Sequence, residues 1–145
     1  MAYVQQRNTV ARLRGLNQFL EHIYQKPQRL SDILAEHKYA QQDILLLRDL
    51  HLKPFLNEFT NGLQLMLREL RDGERLTDII TRRYGLEDGR QQTLQEIAEN
   101  HDVSRERIRQ LQVKTVRRMK NRRRKMQLEQ LVVTVAKGIL GEPRV

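Results

Sequence analysis

Cysteine and tryptophan are both absent from the 145 residues. Without a thiol there is no disulfide framework, zinc ribbon, iron–sulfur cluster or thiol nucleophile, and a reducing compartment is expected. The three prolines and seven glycines are scattered, which excludes a glycine-rich phosphate loop and argues against a long linker. No apolar run approaches the ~20 residues of a membrane span. Met1 to Arg14 carries Gln, Arg and Asn where a signal peptide needs an apolar stretch. A cytoplasmic protein without membrane contact is therefore expected. His22, His37, His51 and His101 have no partner at metal-ligand spacing. No catalytic group, metal or cofactor is expected, and the chain does not read as an enzyme.

Charge is plentiful and unevenly placed. The chain has 27 Lys and Arg against 18 Asp and Glu, a formal charge of +9. Met1 to Asp72 holds ten basic and eight acidic residues, whereas Thr93 to Lys125 holds eleven basic and only four acidic ones. A basic stripe concentrated in this way suits a polyanion, because each cation placed on a phosphate releases a counterion.

Apolar spacing predicts an all-α fold. Val10, Leu13, Leu16, Leu20 and Ile23 recur at helical steps until Pro27. Ser31 is expected to cap a second short helix and Asp43 to open a third. After a break at His51 to Lys53, Phe55, Leu56, Phe59, Leu63, Met66, Leu67 and Leu70 form another stripe, which Asp72 and Gly73 should end. No alternating run competes as a strand.

Thr93 and Glu96 have capping-box spacing, so a helix should start there. Leu94, Ile97 and the small Ala98 face inward, His101 and Asp102 make a turn, Val103 returns to the core and Ser104 caps the next helix. Ile108, Leu111, Thr115, Val116 and Met119 continue its buried stripe. This is helix-turn-helix spacing. Arg105, Glu106, Arg109, Gln110 and Val113 fall on the other face of the second helix. Arg pairs bidentately with guanine, Gln with adenine, and Glu accepts from the cytosine amino group.

These strings carry a resemblance. Arg83-Tyr-Gly-Leu86, Thr93-Leu-Gln-Glu-Ile97 and Asp102-Val-Ser-Arg-Glu-Arg-Ile-Arg-Gln110 resemble region 4 of the primary bacterial sigma factors, over Arg75 to about Lys120. The resemblance implies recognition of the −35 promoter element. It matches Arg105, Glu106 and Gln110 to base-reading positions and sets Arg107 and Arg109 near the DNA backbone. Arg109 is kept among the base readers for its face, and Ser104 and Thr93 are grouped with Arg107 at the backbone. Lys114 and Arg117 match a surface that transcription activators touch. Leu76, Ile79, Ile80 and Tyr84 are candidates for a hollow that grips the RNA polymerase β flap, with core packing as the alternative. His101 and Arg82 depart from the family pattern, which favours aliphatic or aromatic residues there. Nothing in Met1 to Asp72 resembles sigma region 2.

Beyond the resemblance, Arg122, Arg123, Arg124 and Lys125 extend the basic run toward phosphates. Leu128, Leu131, Val132, Val135 and Ile139 then form an amphipathic helix, which either folds back on the N-terminal helices or makes an interface. The expected organisation is a helical module at 1–72, a DNA-binding domain at 73–125 and a C-terminal helix and tail at 126–145. The function expected is a sigma-like transcription factor that binds double-stranded promoter DNA, associates with RNA polymerase and needs a second chain to supply region 2. The alternative is a free-standing homodimeric helix-turn-helix regulator.

Overall fold

The computed structural model describes the backbone of residues 2–144 and the side chains of residues 7–144. It contains α1 (Ala2–Tyr24), α2 (Leu30–Glu36), α3 (Gln41–Leu50), α4 (Leu52–Arg68), α5 (Gly73–Tyr84), α6 (Leu94–His101), α7 (Arg105–Met119) and α8 (Arg122–Leu140). The described residues form no strand. None of these helices is long and apolar enough to cross a membrane.

Local signals set most of the boundaries, and tertiary contacts override two. Ser31 does not cap α2. The helix begins at Leu30, with Arg29 in the cap position: the Leu30 amide donates to Asn17 Oδ1 of α1 at 2.9 Å and the Arg29 amide to Asp32 Oδ2 at 2.9 Å. Asn17 lies thirteen residues away in sequence, so local spacing could not reveal it. Asp43 likewise lies in the first turn of α3 rather than before it, buried and paired with Arg144 at 3.3 Å. The break before Pro54 shrinks to His51 alone, and the proline sits in the first turn of α4, where its missing N–H is harmless. α4 closes at Arg68, before Asp72, which takes a left-handed conformation (φ 64°) ahead of α5.

One apolar core runs through all eight helices. Leu16, Phe19, Leu20 and Ile23 of α1 meet Phe55, Phe59, Leu63 and Leu67 of α4, Ile79 and Ile80 of α5, and Leu128, Val132 and Val135 of α8 in a single cluster. The turn at Asp72-Gly73 therefore coincides with no gap in packing. α8 resolves its two options by folding back onto α2, α3, α4 and α7. Two polar ties close that return: Tyr24 Oη donates to Glu129 at 2.6 Å and Tyr39 Oη to the Gly141 carbonyl at 2.9 Å.

α1 is seated on α5 by backbone proximity. A Cβ at Gly15 would lie 1.8 Å from the Tyr84 carbonyl oxygen, so only glycine permits this crossing. Arg12 secures the same crossing. Its buried guanidinium donates to the Leu86 carbonyl at 2.8 Å and to Asn57 Oδ1 at 2.9 Å. Burial lowers its pKa, opposed by the nearby Glu87 and Asp88.

Candidate nucleic-acid interface

α6 begins as its sequence prescribes. The Thr93 hydroxyl accepts from the Glu96 amide at 3.1 Å while Glu96 Oε1 accepts from the Thr93 amide at 3.3 Å. The Glu96 carboxyl is held below the usual carboxylate range, chiefly by that backbone hydrogen bond. α6 ends at Asp102, whose φ of 52° is left-handed and turns the chain sharply. The Val103 amide returns to the Ala98 carbonyl at 3.1 Å, and Ser104 caps α7 by accepting from the Arg107 amide at 3.1 Å. Ile97 and the small Ala98 are buried against α7. The result is helix, three-residue turn, helix.

α7 divides cleanly into two faces. Ile108, Leu111, Thr115, Val116 and Met119 are buried, and the Thr115 hydroxyl is satisfied by the Leu111 carbonyl at 2.7 Å. Arg105, Glu106, Arg107, Arg109, Gln110, Val113, Lys114 and Arg117 are exposed. Two expected base readers hold one another: Arg109 donates to both Glu106 oxygens, at 2.9 and 2.7 Å. Arg109 thereby keeps Glu106 ionised below the usual carboxylate range, and its own pKa rises. An ionised Glu106 can accept a hydrogen bond from a base amino group but not donate one.

The basic run Arg122 to Lys125 is the first turns of α8, capped by Asn121 through the Arg124 amide at 2.8 Å. Sequence reading missed this cap, although Asn ahead of a helix is a local signal. Arg122 and Arg123 are exposed. Arg124 is half-buried and donates to the Arg118 carbonyl at 3.3 Å, while Arg118 donates to the Arg71 carbonyl at 3.1 Å. Lys125 lies 5.3 Å from the Tyr24 ring centroid.

The four candidates for a polymerase contact lie inside the protein. Leu76, Ile79, Ile80 and Tyr84 are at most 2% exposed, with α5 packed against α1, α4 and α7. The Tyr84 ring packs on Phe19 at 5.0 Å, and its hydroxyl meets His22 Nδ1 at 2.7 Å and Gln112 Nε2 at 3.1 Å. Burial raises the Tyr84 pKa, so it stays a neutral phenol. A partner reaches these four residues only if the helices packed on α5 move aside. Beside them, the end of α1 and α7 border an open cleft of about 650 Å³, lined in part by His22, Lys26, Val113, Val116, Arg117 and Lys120.

A helix-turn-helix whose second helix turns arginines, a carboxylate and a carboxamide to solvent defines a DNA-binding protein of the transcription class. Residues 67–121, spanning α5 to α7, match the family described as Sigma-70, region 4. The chain carries a sigma-70 region 4 domain.

Named relatives agree. The chain is 38% identical over 120 residues to the RNA polymerase sigma factor sigB of Arabidopsis thaliana, covering 82% of this chain and 18% of that protein. It is 38% identical over 76 residues to SigA of Nostoc sp. (52% of this chain, 19% of the relative). With SigA of Lactococcus lactis subsp. cremoris it shares 30% over 124 residues (72% and 33%). The chain thus spans a third or less of each of these relatives. A 120-residue match is too long to fit after residue 67, so the likeness to sigB extends into the N-terminal helices. No solved structure matches the chain.

Proposed function

We propose that this chain is a sigma-like factor that binds −35-type promoter DNA through α7 and works with RNA polymerase. The observation that carries this reading is the open face of α7, where Arg105, Glu106 and Gln110 stand together on a capped helix inside the region 4 domain. Arg105, Glu106, Arg109 and Gln110 read bases, while Arg107, Ser104 and Thr93 lie at the backbone. Arg122 and Arg123 extend the phosphate track, with Arg124 bracing it. These arginines occupy the positive end of the α8 dipole with no acidic residue in the first turn, and a phosphate there relieves the repulsion. Lys114 and Arg117 remain open to an activator.

A second reading draws on the buried face of α5. With Leu76, Ile79, Ile80 and Tyr84 covered by the chain's own helices, the protein serves as a free-standing regulator, dimeric on two half-sites. Two measurements on the intact chain separate the readings: capture by purified core RNA polymerase, and mass in solution with and without promoter duplex. Capture of a monomer supports the first reading. A DNA-bound dimer that core polymerase ignores supports the second, and absence of sequence-selective DNA binding sinks both.

A further inference from the structure

One side chain on the open face of α7 can make no hydrogen bond. Val113 is 43% exposed, among the large apolar residues left open to solvent. It follows Glu106 by seven residues, which is two helical turns, so the two stand in line on one face. Arg109 and Gln110 precede Val113 by four and three residues and flank that line. The buried stripe of Ile108, Leu111, Thr115 and Met119 points the other way.

A valine held open among ionised and amide groups gains nothing from water, and it has no group with which to hold a phosphate. It suits an apolar feature on the bound surface. The major groove offers one such feature, the C5 methyl group of thymine. Resting on the reading of α7 as the helix that enters the groove, we propose that Val113 is a specificity-determining residue that packs against a thymine methyl. The helical rise carries Val113 about 10 Å along α7 from Glu106, so the thymine is expected outside the base pair that Glu106 reads.

The test uses the full chain and a duplex selected from a randomised pool. Each dT of that duplex is replaced in turn by dU, which removes the methyl and leaves every hydrogen-bonding group in place. One position is expected to lose about fourfold in affinity, the worth of one buried methyl. Val113→Ser should bind the dT and dU duplexes equally, and Val113→Ile should keep the preference. Selective binding that tolerates dU at every position overturns the inference while leaving the role of α7 intact. So does a dU penalty that persists undiminished in Val113→Ser. Failure to select any sequence overturns the role of α7 and the inference together.

Discussion

His101 and Asp78 join the end of α6, where the sequence suggests a turn, to α5: His101 Nε2 lies 2.7 Å from Asp78 Oδ2. The same carboxylate accepts from Arg82 Nε, 2.9 Å from each oxygen. His101 and Arg82 are the two positions that depart from the family pattern in the sequence, and they converge on one acceptor. The two polar side chains are tied to each other through Asp78. Asp78→Asn is expected to destabilise the fold by about 1–2 kcal/mol, read from the urea midpoint at constant slope. A double-mutant cycle with His101→Ala should show coupling, and strict additivity would remove the link.

Gly15 carries a sharper expectation. Its missing Cβ leaves room for the Tyr84 carbonyl oxygen, a backbone atom that cannot swing away. Gly15→Ala should therefore lose stability by about 2–4 kcal/mol, despite the better helix propensity of alanine. A neutral or stabilising result in thermal unfolding would mean that α1 does not sit where described.

At the DNA face, Arg105→Ala and Gln110→Ala should each lose about 1–3 kcal/mol on a selected duplex and little on random DNA. Equal losses on both would withdraw the base-reading role. Arg122→Ala with Arg123→Ala should weaken all sequences alike and lower the salt slope by about two units. Arg124→Ala should mainly destabilise, since its guanidinium holds the Arg118 carbonyl.

Acid should loosen α8. Burial pushes the Glu129 carboxyl up, but hydrogen bonds from Tyr24 and His37 outweigh it and hold the group below the usual carboxylate range. A carboxyl with a depressed folded pKa binds fewer protons in the native state than in the unfolded chain. Its contribution is thus complete above the ordinary Glu range and is lost as pH falls through the lower, folded value. Glu129→Gln should lower stability at neutral pH by about 1–2 kcal/mol and flatten the decline below about pH 5. An unchanged acid limb in urea titrations at several pH values would dismiss this role.

The helices and the recognition motif were legible because they depend on neighbours in sequence. Thr93 with Glu96, Ser104 before α7 and the stripe from Ile108 to Met119 are short-range patterns, and the structure reproduces them. What stayed hidden depends on chain crossing. Asn17 caps α2 from another helix, Asp78 gathers two distant partners, and the amphipathic face of α5 is as consistent with an open hollow as with the covered core it forms. Asp78 and Arg82, four residues apart, gave a partial signal, but no spacing rule points from Asp78 to His101.

The closure of the C-terminal helix over α2, α3 and α4 bears on synthesis. Tyr24 meets Glu129 and Tyr39 meets Gly141 across more than a hundred residues, and such distant pairings make folding slow because long loops must close first. While a ribosome is still extending the chain, α7 emerges before the segment that completes the core beneath it. A released chain that stops at Met119 is therefore expected to carry its helix-turn-helix on an unfinished base, open to chaperones and proteases.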